Sequence, residues 1–144
     1  MRMNLRNERG QALLETAIAL PLVLLISVGI FEFGRAYQTW QVLTNASREA
    51  ARIAILPGTT DADIRNRVQQ YLAAGQLDAA GTATVAIDRT KTVAVGLGTA
   101  TSTQITVNYP FNFIVLNPVA KLVVTSSTVG AAFTMSAQAE MRNE

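Results

Sequence analysis

An unbroken apolar run near the N-terminus is the feature that most constrains how this chain can fold. It extends from Ala12 to Phe33, and as an α-helix it would be about 33 Å long at roughly 1.5 Å per residue, enough to cross a bilayer. Positive residues next to a span stay on the cytoplasmic side, and Arg2, Arg6 and Arg9 precede this one. The sequence therefore predicts one transmembrane helix with a cytoplasmic N-terminus.

The far end of the run has the composition of a membrane boundary. Aromatic residues surround Glu32 and Arg35 there, and amphipathic rings mixed with charges are typical of the lipid–water interface. We therefore place the end of the span near Gly34. A cleaved secretory signal is the weaker alternative, because the small-residue candidate for its cleavage site, residues 27–29, is followed by further apolar residues.

Glu15 is the discordant residue of the run, because a carboxylate inside an apolar helix costs about 2.5–3.5 kcal/mol on insertion scales unless it finds a partner. One interpretation places Glu15 near the cytoplasmic rim, where lipid headgroups and water reach it. The other gives the carboxylate a specific role. Gly10 followed five residues later by Glu15, where a basic leader meets an apolar helix, resembles the processing site of type IV pilin precursors.

That resemblance implies a reaction and a function for these residues. A prepilin peptidase cuts type IV pilin precursors after the glycine, on the cytoplasmic side, so cleavage is expected between Gly10 and Gln11. The glutamate at the fifth mature position, here Glu15, helps to seat the subunit in its filament. The chain after cleavage would therefore begin at Gln11.

Several further blocks are similar to the TadE-like family of tight-adherence (Tad/Flp) type IV minor pilins or pseudopilins. They are residues 9–15 (RGQALLE), 19–22 (ALPL), 31–35 (FEFGR), 43–52 (LTNASREAAR), 107–111 (VNYPF) and 136–142 (SAQAEMR). Residues 57–102 are not covered by the resemblance. Thr16 departs from the pattern, since related major pilins carry Tyr after the glutamate.

The resemblance implies a structural subunit that takes part in assembly of a tight-adherence type IV pilus, for surface attachment or secretion. Its expected partners are a prepilin peptidase, other pilin subunits, the pilus assembly platform and inner membrane lipid. Its expected location is the inner (cytoplasmic) membrane, as a single-pass protein with the C-terminal domain outside, and the pilus itself after incorporation.

The charge distribution argues against nucleic acid as a partner. The chain has 12 Lys and Arg against 10 Asp and Glu, and residues 1–10 hold three arginines and one glutamate, which leaves nine charges of each sign in residues 11–144. Nucleic-acid binding would call for a clustered basic face, whereas the remaining basic residues are scattered. The basic character of the chain therefore belongs to the leader.

Residue composition also argues against catalysis. The chain has no His and no Cys, which excludes Ser-His-Asp and Cys-His nucleophile systems, thiolate or imidazole zinc sites and disulfides. We therefore expect no enzyme, no catalytic residues, no metal and no cofactor. Residues 96–101 (GLGTAT) begin like a nucleotide-binding glycine motif, but a strand pattern follows where such a motif needs a helix, so we interpret them as a turn.

The long helix is predicted to continue beyond the membrane as a stalk, because residues 35–56 contain no Gly or Pro. Apolar residues recur there at helical spacing and should lie against the sheet: Trp40, Leu43, Ala46, Ala50, Ile53 and Ala54. Glu49 and Arg52 lie off this stripe and are expected to pair on a solvated face. Pro57-Gly58 should end the helix.

The outer part of the chain mixes one helical pattern with several strand patterns. Thr60 with Asp63 predicts the start of a short helix, whose apolar residues are Ile64, Val68, Tyr71 and Leu72. From residue 82 onward apolar residues alternate with Thr and Ser, which predicts antiparallel strands over residues 85–87, 93–97, 105–109 and 133–141. The apolar stretch 111–118 is either a loop dipping toward the membrane or a surface for a neighbouring subunit.

The predicted fold is α+β and pilin-like: a long N-terminal transmembrane helix that continues as a stalk and packs on a small antiparallel sheet with one extra short helix. Its parts are a cytoplasmic leader (1–10), a transmembrane half (11–34), a stalk half (35–56) and a small outer domain (57–144). The alternative function is a single-span, membrane-anchored extracytoplasmic binding domain that keeps its leader. The absence of a flexible spacer favours the filament subunit.

Overall fold

A computed structural model describes residues 8–77, 80–123 and 125–143, so most of the predicted leader lies outside the described residues. The elements in chain order are α1 (Glu8–Ala54), α2 (Asp61–Ala74), a short 3₁₀ turn (Ala80–Thr82), β1 (Thr84–Val95), β2 (Gly98–Phe111), α3 (Leu116–Val123) and β3 (Phe133–Arg142). The strands form one antiparallel sheet in the order β1-β2-β3. This confirms the predicted α+β fold, in which a long helix packs on a small antiparallel sheet.

Helix α1 is continuous from the apolar run into the outer part of the protein, as predicted. Residues 10–27, in its first half, are exposed, whereas one face of its second half is buried against the sheet and α2. The helix ends at Ala54, two residues before the predicted end, and a turn follows in which Gly58 has a φ of 80°. Gly adopts this left-handed conformation without the steric cost that a Cβ would bring.

Small side chains form the contact between α1 and the rest of the protein. Leu43, Ala46, Ala50 and Ala54 are buried as predicted, and they are joined by Thr39, Ser47 and Ala51. Two predictions are wrong in part: the Trp40 side chain is 49% exposed and lies beside Tyr37, and Ile53 is only half-buried. Because Ala and Ser let the helix approach the sheet closely, an indole fits only at the rim of the contact.

Helix α2 begins as the sequence predicts. The Thr60 side chain accepts a hydrogen bond from the backbone N–H of Asp63, and the Asp63 carboxylate accepts one from the backbone N–H of Thr60, which completes a capping box. Its buried residues are Ile64, Val68 and Leu72, while the predicted fourth, Tyr71, is exposed. The end of α2 lies so close to α1 that a Cβ on Gly75 would meet Val42 Cγ1 at 2.6 Å.

The sheet joins two predicted strands into one. Residues 85–87 and 93–95 both belong to β1, which has an irregularity between Asp88 and Lys91. Leu97 was predicted to extend a strand and instead lies in the two-residue turn to β2, because Gly96 has a φ of 59° and Val95 pairs with Gly98. A glycine with positive φ at the first turn position is typical of a type II′ hairpin. The turn predicted for residues 96–101 is therefore confined to Gly96 and Leu97, because residues 98–101 already belong to β2.

The sheet has two distinct ends. The hairpin tip, Gly96 and Leu97, lies at one end of β2, and Phe111 pairs with Phe133 at the other. Strand β2 has 14 residues, so these ends are about 45 Å apart at roughly 3.3 Å per residue. We call the second end the base of the outer domain: it comprises the described residues of the β2–β3 connection, 112–123 and 125–132, and contacts α1 near Glu32.

Candidate membrane and assembly site

The first half of α1 is the apolar surface that the structure leaves uncovered. Its large side chains point outward all round the helix: Leu13, Leu14, Ile18, Leu20, Leu22, Val23, Leu24, Leu25 and Ile26 are exposed. The helix is long and apolar enough to cross a membrane by length and composition. A helix that is hydrophobic on every side is stable only when another apolar phase or protein surrounds it.

The three residues predicted to direct processing and assembly lie on this exposed half. Gly10, Gln11 and Glu15 all belong to α1 and are exposed. Gln11 and Glu15 are four residues apart, so their side chains share one face of the helix. The predicted cleavage bond, between Gly10 and Gln11, thus lies slightly more than one helical turn before Glu15 in α1.

Two hydroxyl side chains of the exposed half, those of Thr16 and Ser27, are compatible with a lipid environment. The Thr16 hydroxyl donates to the Ala12 carbonyl at 2.9 Å, and the Ser27 hydroxyl donates to the Val23 carbonyl at 2.8 Å. Each hydroxyl proton is thus satisfied within the helix, which matters because water is absent from the bilayer core. Thr16, the departure from the related major pilins, adds no unsatisfied donor to the span.

Glu32 marks the point at which α1 begins to pack on the outer domain, and its side chain is completely buried. One carboxylate oxygen accepts from the Arg35 guanidinium at 2.8 Å, and the other accepts from the backbone N–H groups of Ile114 and Val115 at 2.9 and 2.6 Å. These two N–H groups immediately precede α3, where a negative charge is favourable. Glu32 therefore ties the base of the outer domain to α1.

The sequence does not predict this connection. Its composition indicates that Glu32 and Arg35 are charges at the lipid–water boundary, and it gives neither of them a partner across the fold. The i,i+3 spacing of the two residues indicates a local ion pair, and that pair is present. The bonds to Ile114 and Val115 join residues more than 80 positions apart, so no local sequence pattern reports them.

Aromatic rings surround the same connection. The Arg35 guanidinium lies 5.2 Å from the centre of the Phe111 ring, a cation–π contact. Phe113 packs against Phe33 of α1 and against both Phe111 and Phe133, with ring centres 5.2–6.1 Å apart. The aromatic cluster therefore extends from the apolar half of α1 to the paired ends of β2 and β3.

Glu49 connects α1 with α2 higher on the stalk. Its carboxylate accepts from Arg52 at 3.0 Å, which confirms the predicted pair, and also from Arg67 of α2 at 2.9 Å, which the sequence did not predict. Hydrogen bonds from Arg52 and Arg67 lower the pKa of Glu49 to about 2. The solvated helix face predicted here is thus partly a contact between helices.

Arg89 joins the top of α1 to α2 and β1. Its guanidinium donates to the carbonyls of Ala54 and Thr59 at 3.0 and 3.2 Å and forms an ion pair with Asp61 at 3.1 Å. It therefore satisfies one of the carbonyls that a helix end leaves open.

Within residues 8–77, 80–123 and 125–143, no group of three or more His, Cys, Asp or Glu residues could hold a metal ion.

A small cleft lies between α1, the end of α2 and the base of the outer domain. Its volume is about 100 Å³, and its lining includes Arg35, Gln38, Gln76 and Phe111. The volume is below the range of about 300–1,000 Å³ that is typical of ligand pockets. The Arg35 guanidinium, the cleft's charged group, is already engaged by Glu32.

The comparison with protein families points to the same helix as the geometry. Residues 10–52 match the family described as TadE-like protein, whereas no curated protein and no solved structure matches the chain. The match supports a structural protein associated with a Tad pilus, and one N-terminal apolar helix suggests a single-pass membrane anchor. The matched residues make up nearly the whole of α1, and the predicted similarity to the TadE-like family is confirmed over residues 10–52.

Proposed function

We propose that this protein is a minor pilin or pseudopilin that takes part in assembly of a tight-adherence type IV pilus, for surface attachment or secretion. It enters the cytoplasmic membrane with its N-terminus inside and its outer domain outside. A prepilin peptidase removes residues 1–10, and the exposed half of α1 then packs with other pilin subunits at the assembly platform.

The observation that carries this proposal is the division of α1 into an uncovered and a covered half. Residues 10–27 are exposed and almost entirely apolar, yet the helix continues without interruption into a stalk whose other end is buried in the outer domain. Lipid can surround the exposed half before assembly, and the apolar helices of other subunits can surround it afterwards. The rigid connection transmits the position of the helix to the outer domain.

Glu15 supplies specificity in this proposal. Cleavage after Gly10 creates a cationic amino group at Gln11, on the helix face that also carries Glu15. The Glu15 carboxylate of one subunit pairs with the Gln11 amino group of its neighbour, so that the two opposite charges compensate each other in the apolar environment. Removing one member of a buried charge pair typically costs about 3–5 kcal/mol.

The tethered binding domain is the competing function. It requires a ligand site in the outer domain and gains from a flexible spacer, whereas α1 enters the outer domain as a continuous helix. The cleft beside Arg35 is small for a ligand. These observations support the filament subunit over the binding domain.

Processing is tested by N-terminal sequencing of the protein purified from membranes that contain the matching peptidase. We expect the mature chain to start at Gln11, and Gly10→Phe to leave the longer chain. Gly29→Phe is the matched control, because it alters a glycine of the same helix with open space around it and should not prevent cleavage. A wild-type chain that starts at Met1 would support the tethered binding domain.

Assembly is tested by co-purification of this protein with other pilin subunits. Glu15→Ala should be inserted and cleaved normally but should recover at least tenfold less partner. Thr16→Ala is the control, because it removes a neighbouring hydroxyl that already bonds within the helix. Unchanged recovery of partner subunits with Glu15→Ala would indicate that Glu15 has no role in assembly and is only a hydrated residue at the cytoplasmic edge of the membrane.

A further inference from the structure

We propose that the base of the outer domain docks on the membrane beside the span, with Ile114 and Val115 inserted at the lipid–water boundary. This inference rests on the membrane span of the proposed function but not on pilus assembly. The base of the outer domain is then a second membrane contact of the protein, and the bilayer surface covers its apolar patch.

The hydrogen bonds of Glu32 fix the position of this segment along the axis of α1, which we call its height. The backbone N–H groups of Ile114 and Val115 both donate to one Glu32 oxygen, so these two residues lie level with residue 32 of α1. Phe113 reinforces the position, since its ring packs edge to face on Phe33 at 6.1 Å. The composition of α1 places the end of the span near Gly34, within one helical turn of that height.

The side chains at this height form an apolar surface continuous with the span. Ile114 is 63% exposed and Val115 36% exposed, and Val129 and Phe133 are exposed at the same end of the sheet. Ile30 and Phe31 of α1 are exposed just below. An exposed apolar patch that joins a lipid-facing helix would be covered by the same lipid, because the boundary between hydrocarbon and water does not stop at the helix surface.

Charge and composition fit a lipid occupant. Residues 112–132 contain a single charged residue, Lys121 of α3. Lys121 is exposed, and a lysine at such a boundary can place its apolar stem along the lipid and its ammonium group among the phosphate headgroups. The outward face of the sheet is different, because it carries Gln104, Thr106 and Asn108 in alternation, as a water-facing strand does.

Several polar groups near Glu32 and α3 are hydrogen-bonded within the protein, which lowers the cost of placing them near hydrocarbon. An unpaired backbone N–H near hydrocarbon costs several kcal/mol, and Glu32 accepts from the two that precede α3. Asn117 donates to the Val129 carbonyl at 3.1 Å, and Gly130, with a φ of 70°, lies so close that a Cβ would meet the Asn117 backbone at 2.7 Å. The connection is therefore folded back on itself.

The test measures depth in the bilayer at three positions of the full chain. The natural sequence contains no cysteine, so a single cysteine introduced at Leu22, Ile114 or Leu97 can carry one nitroxide label. All three side chains are exposed. The proteins are reconstituted in phosphatidylcholine–phosphatidylglycerol vesicles, and electron paramagnetic resonance measures the accessibility of each label to oxygen, which partitions into lipid, and to a nickel chelate, which stays in water.

We expect the Leu22 label to favour oxygen strongly and the Leu97 label, at the hairpin tip, to favour the nickel chelate. The Ile114 label should favour oxygen over nickel at least threefold more than the Leu97 label does. A label at Val129 provides a second report on the base. In Glu32→Ala, the Ile114 label should become accessible to nickel while the Leu22 label does not change.

Three other outcomes would overturn the inference in distinguishable ways. A nickel accessibility at Ile114 equal to that at Leu97 would place the base in water, with the span intact. Low accessibility to both reagents at Ile114 would mean that protein covers the patch, and a neighbouring subunit would be its occupant. A water-exposed Leu22 label would show that the exposed half of α1 does not span the membrane, and the proposed membrane contact of the base would then be wrong as well.

Discussion

The two halves of α1 are one helix with opposite packing. In the exposed half the apolar residues are mainly Leu, Ile and Val on every side, and the structure leaves them uncovered. In the packed half, from Glu32 to Ala54, the buried residues are mainly Ala and Ser on one stripe. The large side chains of the exposed half are thus available for the lipid and subunit contacts of the proposed function, whereas the small side chains allow a close contact within the chain.

The largest difference in the free energy of unfolding is expected between variants of the two glutamates, Glu32 in the packed half and Glu15 in the exposed half. Glu32→Ala should lower the free energy of unfolding by about 3–5 kcal/mol, because it removes the ion-pair partner of Arg35 and the acceptor of two backbone N–H groups. Glu15→Ala should leave it unchanged, since Glu15 lies on the uncovered half. Denaturant unfolding of the detergent-solubilised full chain measures both. Equal effects would mean that the halves do not differ as the structure indicates.

Two leucines provide the corresponding test of apolar contacts. Leu43→Ala should cost about 2–5 kcal/mol, because the side chain is fully buried between α1 and its neighbours. Leu22→Ala removes the same atoms from the exposed half and should change the free energy of unfolding of the outer domain by less than about 0.5 kcal/mol. The same unfolding measurement decides this. A Leu43→Ala effect as small as that of Leu22→Ala would show that the stalk does not pack on the sheet.

The requirement for small residues can be tested by enlarging them. Ala50→Leu should destabilise the protein by about 1–3 kcal/mol, because Ala50 is fully buried and a larger side chain would overpack the contact. Ala17→Leu, on the exposed half, should be neutral. Thermal unfolding followed by circular dichroism compares the two variants. A neutral Ala50→Leu would contradict the close approach of helix and sheet.

The smallest effect is expected at Glu49, and it depends on pH. Because hydrogen bonds from two arginines lower its pKa from 4.5 to about 2, ionised Glu49 stabilises the fold above about pH 4.5, and this contribution is lost as the pH falls toward 2. Its pairs lie near the surface, so Glu49→Gln should cost about 1 kcal/mol or less at pH 7. The variant should lose less stability than the wild type between pH 5 and pH 2.

Unfolding curves measured at several pH values test this dependence. Arg48→Gln is the control, because it changes a charge at the neighbouring exposed position without touching the Glu49 carboxylate. A Glu49→Gln variant with the same pH dependence as the wild type would show that Arg52 and Arg67 do not hold the carboxylate ionised.

Local features of this protein follow from its sequence, because each depends on residues a few positions apart. The length of the apolar run predicted the helix, the Thr60–Asp63 pair predicted the start of α2, and alternation predicted the strand through Phe133 and Met141. The glycine and glutamate of the processing motif were identified in the same way and remain predictions. Periodicity also identified Leu43, Ala46 and Ala50 as core residues.

Tertiary structure decided which charges are buried and which apolar residues are not. Glu32 has the sequence context of a boundary residue, yet it is buried because Ile114 and Val115, more than 80 positions away, bring their N–H groups to it. Trp40 has helical spacing suited to the core, yet it is half exposed because small residues close the contact beside it. The position of residues 112–132 at the level of Glu32 likewise comes from the antiparallel order of β2 and β3. A sequence reports periodicity and composition along one chain, whereas partners across the fold are fixed only when distant segments meet.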